Sequence, residues 1–165
     1  MPVTPYHFGP SGLIGYVFRK WIDFPVFVLA NVVVDFEVLI VAYFNLGRPC
    51  HRFAHTFIAG AAVGIAWGII AYFILPALKW SMKKMRISYQ TNFLKMVISG
   101  ILGVWLHVFI DAIYHFDVKP FWPMRRNPLW RLLSQSQVRW ICVICLLVFL
   151  LLYVLSLKKQ LSRKD

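Results

Sequence analysis

Six carboxylates and five histidines are the side chains of this protein best suited to acid–base or metal chemistry. Most of them fall where charge is least welcome. Asp35, Glu37 and Asp111 lie inside long apolar runs, and Asp117 lies just past the end of one. A charge at the centre of a bilayer costs about 2.5–3.5 kcal/mol on insertion scales, so three unpaired carboxylates would cost on the order of 8–10 kcal/mol. The runs 24–44, 53–78 and 96–116 contain no Lys or Arg. The offset must therefore come from protons, from protonated histidine or from a bound cation. All five histidines, His7, His51, His55, His107 and His115, lie near the same runs or at their ends.

Spacing favours the cation. His107, Asp111 and His115 are four residues apart and would stack on one helix face, as would His51 and His55 if a helix begins by residue 49. A pair at that spacing is what a helix offers a metal ion. Depth agrees, because Asp35 would lie ~18 Å along its helix from Asp23, and His107 ~18 Å from Lys95. His7 would lie ~18 Å from Arg19 if its segment makes a half-crossing. Asp35 and Glu37, two apart, face nearly opposite ways on a regular helix. Either the helix is broken there or one of them alone reaches the site, with Asp35 expected as ligand and Glu37 as base or outer partner. His115 and Asp117 could equally serve as helix-to-helix hydrogen-bonding groups, and His51 could face solvated headgroups.

The elements that must hold these groups are apolar helices. The chain has 165 residues, 60% of them hydrophobic, and a mean hydropathy of +0.67, which excludes a soluble globule. The expected fold is an all-α polytopic transmembrane bundle of four long spans, 24–44, 53–78, 96–116 and 138–157, plus a short N-terminal re-entrant or half-crossing helix within 8–18. It reads as one membrane-embedded domain, 1–165, with the metal-site core at 7–128, a last transmembrane helix at 138–157 and a basic tail at 158–165. No Lys or Arg precedes the first apolar stretch, so no cleaved signal peptide is expected. The net charge of +12 sits in connections and at the C-terminus, which points to anionic headgroups as the partner of the basic loops and not to nucleic acid. Five basic residues between Lys79 and Lys95 and four from Lys158 onward put those segments in the cytoplasm. Gly60, Gly64 and Gly68 form a small-residue stripe for close helix packing. Cys142 and Cys145, mid-span and without a His or acid nearby, read as small apolar helix residues.

Four segments together carry a resemblance: Asp35-Phe-Glu37, His51-Arg-Phe-Ala-His55-Thr56, Gly103-Val-Trp-Leu-His107-Val-Phe-Ile-Asp111 and Pro120-Phe-Trp-Pro123. Over 7–128 they resemble the bacterial family of LexA-binding, inner-membrane-associated metal-dependent hydrolases. That family usually has Asp-x-Asp where Asp35 and Glu37 stand, and one more residue in its His-Arg…His block. The order His, Asp, His, His-x3-Asp is similar, more distantly, to the zinc-dependent phospholipase C and single-strand nuclease group. The resemblance implies a multi-pass protein of the bacterial cytoplasmic membrane that hydrolyses a lipid or other membrane-accessible phosphoester with one or two divalent ions, zinc by analogy. Its metal ligands would be His7, Asp35, His51, His55, His107 and Asp111. Glu37 would be the general base, Arg52 a clamp on a phosphate or carboxylate oxygen, and Asp117 a further catalytic group. The residues alone leave open an ion-coupled carrier and a non-catalytic scaffold.

Overall fold

The computed structural model describes residues 4–47, 49 and 51–162. A 3-10 turn over Thr4–His7 runs into α1 (Phe8–Val17), followed by α2 (Phe24–Tyr43), α3 (Phe57–Phe73), α4 (Leu75–Lys84), α5 (Phe93–Tyr114) and α6 (Gln135–Leu161). Among the described residues there is no strand. Each long helix starts where a short polar side chain can take up a free amide. Asp23 accepts from the Val26 N–H ahead of α2, Thr56 from Ala59 ahead of α3, and Asn92 from Lys95 ahead of α5. Ser134 and Gln137 form a reciprocal capping box at the start of α6.

α2, α5 and α6, of 20, 22 and 27 residues, are long and apolar enough to cross a membrane. The expected fourth unbroken span, 53–78, is corrected. α3 stops at Phe73, and α4 leaves it at an angle of 78°, so the pair makes a fourth span only if counted together. Pro76, in the first turn of α4, supplies the reason. It has no N–H to continue the ladder, and its ring crowds the carbonyl four residues back, at Tyr72. Beyond the bend the composition changes as well. α4 buries Leu78 and Met82 and exposes Lys79, Trp80, Lys83 and Lys84.

Glycine controls how closely the helices approach. A Cβ on Gly64 would sit 2.5 Å from the Ile101 Cα, and one on Gly68 2.5 Å from the Val97 Cα, so the expected stripe is the contact of α3 with α5. Gly103 lets α5 meet the Phe27 carbonyl of α2, and Gly9 lets α1 meet the Cys142 carbonyl of α6. Cys142 and Cys145 are free thiols in that helix. Only 6% of the most apolar stretch of α6 is buried inside the protein, against 56% for α5, so α6 is the peripheral element and α5 the central one.

The two ends of the bundle are tied differently. At one end, buried Asp23 accepts hydrogen bonds from the hydroxyls of Tyr89 (2.8 Å) and Thr91. Lys95 Nζ donates there to the carbonyls of Arg19 and Lys20, and the Tyr153 hydroxyl donates to the Met85 carbonyl. At the other end, the segment after α2 meets the segment after α5 where the Phe57 N–H donates to the Pro120 carbonyl at 2.8 Å. The histidines gather at this second end.

Candidate metal centre

Asp111 is the hub. It sits three residues before the end of α5, 2% exposed, above a dry floor made by Ala30 and Val34 of α2 and Val104 and Val108 of α5. All five histidines turn Nε2 towards its carboxylate. On Oδ2 the distances are 3.1 Å from His107, 3.7 Å from His55 and 3.8 Å from His51. On Oδ1 they are 3.1 Å from His7 and 3.9 Å from His115. His7, His55 and His107 are at most 1% exposed, and the rings of His7 and His107 stack at 4.2 Å. Every ion pair among the described residues involves a histidine, so no Lys or Arg among them neutralises this carboxylate.

Close approach here is not mutual hydrogen bonding. Both ring nitrogens of His7 and of His107, Nε2 of His55 and Oδ1 of Asp111 are buried without a hydrogen-bond partner, although His7 Nε2 and Asp111 Oδ1 are only 3.1 Å apart. The distance is short, but the alignment does not suit a shared proton. Such orphaned polar atoms cost about 1–3 kcal/mol each unless something satisfies them. Groups that converge on a common point and not on one another have the arrangement of ligands. Asp35, His55, His107 and Asp111 each offer an atom within 4.8 Å of the others, and His51, His115 and Asp117 form a second such group. Either group could hold a metal ion, and the donor set of imidazole nitrogen and carboxylate oxygen fits a divalent transition metal.

Local structure explains how each side chain arrives. α2 is unbroken, so Asp35 and Glu37 diverge: Asp35 Oδ1 lies 3.3 Å from His107 Nε2, while Glu37 points to the loop that follows α2. Glu37 there accepts from the N–H groups of Ala54 (2.9 Å) and Arg52 (3.0 Å), and Oε2 lies 2.9 Å from His55 Nδ1. His55 is thus held from behind with Nε2 facing the cluster. The same device recurs at His51, whose Nδ1 lies 3.0 Å from Asp117 Oδ2. A carboxylate on the far nitrogen sets the tautomer and orientation of a ligating imidazole.

His51 and His55 do not share a helix face, because α3 begins at Phe57 and both sit in the irregular segment before it. Glu37 and Asp117 do the positioning that a helix would have done. His115 is likewise outside the helix: α5 ends at Tyr114, and His115 has extended backbone, φ −106° and ψ 132°. His7 closes the turn ahead of α1, where its ring makes no capping bond and is free for the cluster. Arg52 faces away, its Nε donating to the Pro49 carbonyl and Nη2 to those of Leu46 and Gly47. In this structure its fork braces its own loop.

Outside the spans, burial alone would lower the basicity of His55, but the Asp35 and Glu37 carboxylates outweigh it and raise its pKa above the ordinary value. Burial lowers that of His115. Burial would raise the Asp117 carboxyl, yet the hydrogen bond and charge of His51 hold it below the usual range.

The sequence marks the segment 117–139 as basic, with Lys119, Arg125, Arg126, Arg131 and Arg139, but gives these side chains no part in the site. Lys119, Arg131 and Arg139 line a cleft of about 1440 Å³ together with His115 and Asp117. Lys119 and Arg131 come from the one connection between α5 and α6, and Arg139 from near the start of α6. No known family model, curated protein or solved structure matches the chain.

Proposed function

We propose that the protein is a membrane-embedded, metal-dependent hydrolase acting on a lipid or another membrane-accessible phosphoester. The observation that carries the reading is the convergence of five imidazoles on one buried carboxylate that no Lys or Arg among the described residues balances. The motif resemblance to inner-membrane metal-dependent hydrolases supports the same activity. Neutral imidazoles with carboxylates suit zinc. One ion would take Asp35, His55, His107 and Asp111, with His7 beside it. A second would be held by the group of His51, His115 and Asp117. Zinc held by these residues would lower the pKa of a bound water to near neutral and would itself polarise a phosphoryl oxygen.

The chain's own residues would then divide the work. The histidines and Asp111 bind and align, while Glu37 and Asp117 keep Nε2 of His55 and His51 aimed inward. Both oxygens of Glu37 are occupied by loop amides and an imidazole, which favours a positioning role for it over the general base that the motif suggests. In the membrane, α3 and α4 would count as one bent span, giving four, and the turn at Thr4–His7 with α1 would be the half-crossing that brings His7 to the site. The basic loops would face the anionic headgroups of a bacterial cytoplasmic membrane.

The test is turnover. Reconstituted protein should cleave a phosphoester from a panel of lipid and soluble substrates, lose the activity to a chelator and regain it with zinc. Asp111→Asn should be inactive under all three conditions. Metal-loaded protein that cleaves no phosphoester would overturn the proposal, and dissipation of a cation gradient in liposomes would make it a carrier.

A further inference from the structure

The cleft beside the second ligand group says what kind of phosphoester would fit. Its floor includes His115 and Asp117, and Lys119, Arg131 and Arg139 stand round it. Asp117 is the one carboxylate there and is engaged by His51 at 3.0 Å. None of the three basic side chains pairs with a carboxylate among the described residues, where every ion pair is a histidine's. The Arg131 guanidinium lies over the Trp130 ring at 4.5 Å. The first turn of α6 carries no acid, so its helix dipole adds to the positive field and does not offset it.

The cleft, at about 1440 Å³, is roomier than the roughly 300–1,000 Å³ of a small-molecule pocket. A groove of about 260 Å³, lined by Tyr6, Trp140 and Val143, shares Ser136 and Arg139 with it and continues along α6. Along that helix only 6% of the most apolar stretch is buried inside the protein, which leaves its apolar surface open to lipid. Trp130 and Trp140, 42% and 65% exposed, flank the junction, as interfacial tryptophans do at headgroup depth. Positive charge at the interface continuing into an apolar track along this helix matches the two halves of one kind of molecule.

We infer that the cleft takes the headgroup of a net-anionic membrane phospholipid, with Lys119, Arg131 and Arg139 around its charge and one acyl chain in the Tyr6–Trp140–Val143 groove. Together with the proposed hydrolase, on which this rests for its catalytic sense, it names the substrate class. The phosphoester would enter from the membrane and meet His115 and Asp117 first.

The test reads binding without turnover. Protein in phosphatidylcholine nanodiscs receives a trace of phosphatidylglycerol bearing a photoreactive acyl chain, and label at residues 140–143 is compared with label at 150–155 of the same helix. The ratio should exceed that for a photoreactive phosphatidylcholine. Lys119→Gln with Arg139→Gln should lower it by roughly 25-fold, as two interfacial charges predict. Lys79→Gln with Lys83→Gln, the same charge loss on α4, should leave it within about twofold. Equal labelling by the two lipids, equal loss in the two double variants, or displacement of the label by millimolar inorganic phosphate would each overturn the site. Label retained by a protein that cleaves no phosphoester would remove the hydrolase and leave the lipid site. Cleavage of soluble phosphoesters without selective label would do the reverse.

Discussion

Asp111 and Glu37 are both acids within apolar helices, yet their surroundings give them opposite tasks. Asp111 faces five imidazoles and, among the described residues, no backbone amide donor, whereas Glu37 accepts from two loop amides and backs a single imidazole. Glu37→Gln tests the difference. Its amide would keep the shape but turn one acceptor into a donor facing N–H groups, so the protein should stay folded and bind metal about 10–100-fold more weakly. A general base in that position would instead keep its metal and lose about 10²–10⁴-fold in turnover. Titration of the purified variant with zinc decides between them. The inward-facing acids and histidines were legible in the sequence because an apolar run without Lys or Arg leaves a carboxylate few partners. The task of Glu37 was not, since it depends on where residues 52–55 fold back, which is a tertiary fact. The brace that Arg52 makes was not legible for the same reason: its fork meets loop carbonyls close in sequence, which composition does not reveal.

Among the elements, α3 and α5 form the closest pair, and glycine makes it possible. A Cβ on Gly64 would meet main-chain atoms of Ile101 at 2.5 and 2.6 Å, which cannot move aside alone, whereas one on Gly12 would meet the Phe149 ring at 3.1 Å. Gly64→Ala should therefore destabilise by roughly 1–3 kcal/mol. Gly12→Ala should come out near neutral, because the ring can shift and alanine recovers up to about 1 kcal/mol of helix propensity. Thermal unfolding in detergent checks the pair, and an equal fall in both would count against the packing described. The glycine stripe and the apolar lengths of α2, α5 and α6 were readable from the chain, since both follow from local pattern. The bend after Phe73 was also signalled, by Pro76, but a window of hydropathy averages over a proline. The irregular path of 51–56 carried no local signal, because Glu37 and Asp117 hold it from outside.

At the scale of the whole molecule, the bundle separates a latch from a site. Tyr89, Thr91 and Lys95 lock one end around Asp23, and the histidines, the basic cleft and the exposed tryptophans occupy the other. In a variant without native cysteines, Gly47→Cys and Ser136→Cys should react with an impermeant maleimide from the same side of a sealed vesicle, and Lys84→Cys from the opposite side. Labelling of all three from one side would contradict the arrangement of the spans. The central claim, that the polar cluster is a metal site, meets its most direct test in elemental analysis of gently purified protein. It predicts at least one divalent transition-metal ion per chain, lost in His107→Ala and in Asp111→Ala proteins that remain folded. Metal-free wild-type protein that takes up none on incubation, or the same stoichiometric metal in both variants, would contradict it.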